Sequence, residues 1–248
     1  MKINVNSDYQ EMCRSAADFI TSYIKKKPTA LLCFPSGDTP TGIFQCLLDD
    51  FNKGEIDFQR CFFVGLDEWE SLNGNNEGSC RHYMDQHFFF PLKIQNDKIY
   101  FFDGASQDLV AECKRIDNFI KERGHIDLVM VGLGLNGHIG LNEPGVDFDL
   151  YSHFSPLDEK TKEVAQKYFT DKVLLTKGIT LGPRHLLEAK IAILIASGIN
   201  KAEIIKKALE QEVSNSVPAS ILQNHRDAYV FLDQNAASLL SNKAVSNG

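Results

Sequence analysis

Two spacings of apolar residues alternate along the chain. Near the N-terminus Met12, Ala16, Phe19, Ile20 and Ile24 share one helical face, and Ser7 with Gln10 forms a capping box ahead of them. The unbroken apolar run TALLCF (29–34) reads as a buried strand and TPTGIFQCLLDD (39–50) as the helix after it. CFFVGL (61–66) is a second strand, GSCRHYMDQHFFF (78–90) a helix and KIYFF (98–102) a strand. SQDLVAECKRIDNFIKERG (106–124) is a helix closed by Gly124. In the second half IDLVMV (126–131), KIAILIA (190–196) and AYVFLD (228–233) read as strands, NKAEIIKKALEQ (200–211) as a helix, and a last helix follows.

Strands that are apolar throughout, rather than at every second position, are covered on both faces. With helices between them they predict an α/β fold. The expectation is a doubly wound, mostly parallel sheet with helices on both faces, a Rossmann-like three-layer sandwich. No repeat, low-complexity tract or Gly/Ser linker interrupts the chain, so residues 1–248 are expected to form a single domain. Ligands of such sheets bind outside the carboxyl ends of the strands. Residues 144–177 are polar with weak apolar periodicity, and they are expected to form a lid that excludes water from the site.

Composition narrows the function. The chain has 43% hydrophobic and 24% charged residues, ordinary for a soluble globular protein, and a net charge of −7 that argues against nucleic acid as partner. A phosphorylated small molecule remains compatible, because a basic pocket can sit inside an acidic whole. Six scattered cysteines with no C-x-x-C pair predict buried free thiols in a reducing cytoplasm. The N-terminus MKINVNSDYQ has no apolar core of a signal peptide and no run reaches eighteen apolar residues, so a cytoplasmic location without membrane insertion is expected.

Three strands end in chemistry-bearing residues. TALLCF runs into PSGDTPTG, where Ser36, Gly37 and Thr39 precede a helix and could form an anion cradle of backbone N–H groups and hydroxyls. An ordinary turn with Thr39 as N-cap and Pro40 at the first helical position is the alternative. CFFVGL runs into DEWE; alternation sends Asp67 and Glu68 to opposite sides, so one of them can face the crevice with its pKa raised for general-base work, unless the turn is simply solvated. IDLVMV runs into GLGLNGHIGLNEPG (132–145). Its Gly132, Gly134 and Gly137 match G-x-G-x-x-G, but Gly140, Pro144 and Gly145 forbid the long helix a dinucleotide loop must open. The segment instead reads as a rigid loop presenting Asn136, His138, Asn142 and Glu143, a base held in one orientation. The spacing does not match H-E-x-x-H, so no metal is assigned.

GLGLNGHIGLNEPG resembles the signature of the glucosamine-6-phosphate deaminase/isomerase family. PSGDTPTG resembles that family's phosphate loop and GLDEW its D-E motif, in the same order, and the likeness extends through NEGSCRHYMDQHFFFPL, GITLG, LIASGINKA and VPASILQNH. The LDEW, LGLNEPG and PAS variants look closer to the galactosamine-6-phosphate branch. The resemblance implies a cofactor-independent enzyme that opens an aminosugar phosphate, moves a proton from C2 to C1 and releases a ketose phosphate and ammonia. It implies Asp67 as the C2 base, His138 as the ring-opening proton shuttle, Glu143 as its support, and Lys201 with Ser36, Gly37 and Thr39 as phosphate ligands. The small-molecule partner is the aminosugar phosphate, and a homo-oligomer is left open.

Three positions depart from the family pattern. Asn136 stands where some members have aspartate; an amide orients but cannot hold a positive charge, which puts weight on Glu143. Asp38 occupies a glycine position in the phosphate loop, where its carboxylate must turn away for an anion to bind. Lys167 falls near a phosphate-binding arginine of the family and supplies charge without a planar bidentate contact; the alternative is a solvated lysine. A 6-phosphogluconolactonase-type hydrolase shares the fold but does not call for Asp67, and a non-catalytic sugar-phosphate sensor would need a DNA-binding segment for which the chain has no spare residues.

Overall fold

The computed structural model describes residues 1–241. Seven strands form a central sheet in the order β1-β10-β9-β6-β2-β3-β5, every neighbouring pair parallel. They are β1 (Lys2–Asn6), β2 (Leu31–Cys33), β3 (Phe62–Val64), β5 (Ile99–Tyr100), β6 (Leu128–Gly132), β9 (Ile191–Ala196) and β10 (Ala228–Asp233).

Alternate residues of each strand serve opposite faces, which is why the strands read as continuously apolar. On one face Leu32, Phe63, Met130 and Ile193 pack against α1 (Tyr9–Lys26), α2 (Asp38–Asn52) and α3 (Cys80–Met84). On the other, Leu31, Val64, Val129 and Leu194 pack against α4 (Leu109–Glu122), α6 (Pro183–Glu188) and α7 (Ala202–Glu210). The sheet is thus covered on both sides, the three-layer arrangement expected from the strand pattern.

A second sheet was not expected. β4 (Asp67–Trp69), β8 (Lys177–Thr180) and β7 (His153–Pro156) form an antiparallel sheet in that order, with Asp67 and His153 both opposite Thr180. The polar stretch 144–177, expected as a lid, contributes β7, α5 (Glu159–Ala165), the short turn Gln166–Tyr168 and the start of β8. Its strands pair only with each other and with β4, and its small core of Trp69, Leu141, Leu157, Ala165 and Leu175 lies apart from the two main clusters.

Other boundaries shift locally. β1 was not foreseen; among the described residues it is an edge strand paired with β10 alone, which lies far along the chain, with Lys2 opposite Tyr229. The first helix is capped one residue later than read, by Asp8 rather than Ser7: Asp8 accepts from the Glu11 amide at 2.9 Å, and Glu11 reaches back to the Ser7 amide. The helix of 78–90 is an α-turn, capped by Ser79, that widens into a π-turn at Asp85–Phe89 and buries Phe88 and Phe89 together. The last helix among the described residues is α8 (Gln234–Ala237), a single turn.

Candidate active site

The sheet reverses direction between β2 and β6: from β2 the chain steps outward through β3 to β5, then returns to build β6, β9 and β10 on the other side. Crevices open at such a switch point, at the carboxyl ends of the strands. A cavity of about 350 Å³ lies there, and its walls include Ser36, Gly37, Asp38, Thr39, Asp67, Asn136, His138, Lys167 and Lys201. Segments more than a hundred residues apart thus meet around one space. Glu143 is buried behind the wall, against His138.

The loop after β2 leads directly into α2. Its N-cap is Gly37, at φ 118°, not Thr39, and Gly37 offers no capping side chain. Left-handed backbone there favours glycine, and with no capping side chain the Thr39 amide in the first turn of this fifteen-residue helix is left for a ligand. Pro40 falls in that first turn, where a missing N–H costs nothing. The Asp38 carboxylate is 66% exposed and pairs with the Lys167 ammonium at 2.5 Å. The carboxylate thus stands at the cavity wall with its charge matched by the lysine.

Asp67 and Glu68 do point apart. Asp67 faces the cavity at 8% exposure. Burial pushes its carboxyl up to about 6, opposed by the Cys80 thiol and the charge of His138. Glu68 is fully buried on the other side and accepts the amides of Trp69, Cys80 and Arg81, each at 2.9 Å. Those bonds tie β4 to the start of α3. They also bring Cys80 into the cavity wall, its thiol between Asp67 and Ser36.

After β6, the imidazole of His138 lies over Gly134 so closely that any side chain there would collide with the ring. The glycines of the opening motif therefore serve a histidine and not a pyrophosphate. His138 Nδ1 faces Glu143 Oε2 at 3.5 Å and the Thr161 hydroxyl at 3.2 Å. Asn136 donates to the same Glu143 oxygen at 2.9 Å and accepts from the His138 amide at 3.2 Å. The amide thus orients the carboxylate and the main chain rather than the imidazole itself. Burial would raise the Glu143 carboxyl, but its bonds to His138, Thr161 and Asn136 outweigh that and hold it at about 2. With Nδ1 turned to an anion, the proton belongs on Nδ1 and Nε2 is left for chemistry.

Asn142 plays a supporting part: its amide donates to the Ile139 and Leu181 carbonyls, and its oxygen meets His153 Nε2 at 2.8 Å. These contacts fasten the loop to β7. Lys201 follows β9 and donates to the Leu133 carbonyl at 2.6 Å. Burial, helped by the nearby charge of Lys167, lowers its pKa to about 8.

Three wall residues were not singled out from sequence. Cys80 looks like any buried thiol until Glu68 is seen to fix it. Thr161 and Tyr168 lie in the polar stretch after β7, and nothing in their neighbourhood marks them as facing a cavity.

A family model described as glucosamine-6-phosphate isomerases/6-phosphogluconolactonase matches residues 6–231. The chain is 38% identical over 241 residues to a glucosamine-6-phosphate deaminase of Clostridium acetobutylicum, covering 97% of this chain and 100% of the relative. It is 35% identical to one of Thermoanaerobacter sp., covering 97% and 95%. A solved monomeric glucosamine-6-phosphate deaminase superposes with a TM-score of 0.93 at 34% identity, over 96% of this chain and 100% of that one. A 6-phosphogluconolactonase from Trypanosoma brucei reaches 0.76 at 18% identity, over 97% and 98% of the two chains, a likeness of fold alone.

Proposed function

The chain belongs to the glucosamine-6-phosphate isomerase/6-phosphogluconolactonase family, and from that premise we propose that it converts an aminohexose 6-phosphate and water to a ketohexose 6-phosphate and ammonia. The observation that carries this reading is the convergence of Asp67, His138 and Lys201 on one cavity with the Ser36–Thr39 loop.

In this reading the phosphate sits at the N-terminus of α2, held by the Thr39 amide, the Ser36 and Thr39 hydroxyls and the Lys201 ammonium. The anomeric end then lies toward His138. Its Nε2 carries a proton between the ring oxygen and the anomeric hydroxyl, and Glu143 balances the charge the imidazole gains. In the open chain Asp67 takes the proton from C2 and delivers it to C1. A carboxyl near 6 suits both steps, since it is ionised at neutral pH yet its acid still gives the proton back. Water then displaces ammonia from C2.

The relatives carry the glucosamine name, whereas the LDEW, LGLNEPG and PAS variants are the support for the galactosamine epimer. Glucosamine-6-phosphate is the substrate to try first. The solved deaminase that superposes on this chain is described as monomeric, which supports a monomer as the proposed working unit, checked by sedimentation velocity. Six free cysteines, five of them buried, accord with a cytoplasmic setting, and no helix among the described residues is long and apolar enough to cross a membrane.

The test is to supply both epimers and 6-phosphogluconolactone to the purified chain and follow ammonia, ketose phosphate and acid. Ammonia from an aminosugar phosphate is expected. Lactone hydrolysis with no ammonia from either epimer would transfer the chain to the other activity of its family.

A further inference from the structure

Tyr168 ends the turn after α5, and its hydroxyl oxygen lies 3.1 Å from the point where a side chain on Gly37 would begin. The Asp38 backbone lies close to that oxygen, and the hydroxyl carries a proton of its own to give. Among the described residues that proton meets no protein acceptor, and Tyr168 forms part of the cavity wall. Its neighbours hold it in place. The ring stands edge-on to Tyr83, 5.9 Å between centroids, and Tyr83 donates to the Gly37 carbonyl at 2.8 Å. Phe169 packs over Gly78 with no room for a side chain between them. The adjacent Lys167, by contrast, has its ammonium against the Asp38 carboxylate, so its charge is already matched.

We propose that Tyr168 is the phosphate-contacting residue of the segment Glu159–Tyr168: its hydroxyl donates to a phosphate oxygen seated at the N-terminus of α2, while the Lys167–Asp38 pair clamps the segment to the phosphate loop. The proposal rests on the reading of that loop as a phosphate site. Burial keeps the phenol protonated well past neutrality, so it acts as a neutral donor throughout the working range. Because α5 also brings Thr161 to His138, a phosphate that engages Tyr168 steadies the segment that completes the histidine site.

The experiment measures inorganic phosphate binding to the full chain by titration calorimetry, for wild type and for Tyr168→Phe, Lys167→Gln and Asp38→Gly. Tyr168→Phe keeps the ring packing and removes one hydrogen bond to a charged acceptor, so Kd should rise about tenfold with an unchanged thermal midpoint. Lys167→Gln and Asp38→Gly should change Kd less than Tyr168→Phe does. Wild-type affinity in Tyr168→Phe overturns the proposal, and a greater loss in Lys167→Gln assigns the contact to the ammonium. If wild type binds phosphate but releases no ammonia from either epimer, the proposed activity fails while the Tyr168 contact is still tested.

Discussion

His138 Nδ1 and Glu143 Oε2 stand 3.5 Å apart, and the same carboxylate oxygen receives the Asn136 amide at 2.9 Å. One carboxylate thus fixes an imidazole, and an amide fixes the carboxylate. Asn136 can do this because it adds no second negative charge beside Glu143.

Glu143→Gln keeps the shape and removes the charge that balances a protonated His138. Ring opening should slow by about 10²-fold, read as a fall in kcat with KM changed little, because the loss is felt when the imidazole is charged. Steady-state kinetics on the aminosugar phosphate decides it; an unchanged kcat would remove Glu143 from the mechanism.

Asp67 predicts opposite trends for activity and stability. As a base it must be ionised, so kcat/KM should fall as pH drops through about 6. Its folded-state pKa of about 6 exceeds the ordinary 3.8, so its contribution to stability is full below the ordinary value and is lost as pH rises through the folded one. Asp67→Asn should therefore be more stable than wild type at pH 8, by up to about 3 kcal/mol, with no such gain near pH 4. Thermal melts at the two pH values check this.

Lys201 should set an upper pH limit on binding. Burial places its ammonium near 8, so above that value the free enzyme increasingly lacks the charge that meets the phosphate. KM for a 6-phosphate should climb above about pH 8 while kcat holds. A flat KM to pH 9.5 would mean that the N-terminus of α2 carries the phosphate without it.

Glu68 is predicted to be structural. Glu68→Ala leaves three buried amides without an acceptor and should destabilise the fold by about 3 kcal/mol or more, measured by urea unfolding. Loss of activity with undiminished stability would assign it a direct chemical role instead.

Much of this was legible in the sequence because two-sided burial writes itself as unbroken apolar runs. AYVFLD coincides with β10, and the three loops that end strands carry Ser36, Asp67 and His138 to the cavity. Less legible were elements stabilised by distant pairing. β1 pairs with a strand more than two hundred residues away, and β7 lies in a polar stretch and pairs through β8 with β4. Tyr168 and Thr161 were invisible for the same reason: only the antiparallel sheet turns α5 and its following turn toward the site. Asp38 was readable as a problem for an anion, but its solution, a lysine far along the chain, was not.

Turnover by the full chain and by Asp67→Asn, with ammonia and ketohexose 6-phosphate measured together, tests the central claim most directly. Wild type should release the two products in equal amounts from glucosamine-6-phosphate or its galactosamine epimer, and Asp67→Asn should lose about 10³-fold in kcat while substrate binding stays within a few-fold. A mutant that turns over at the wild-type rate would contradict the account.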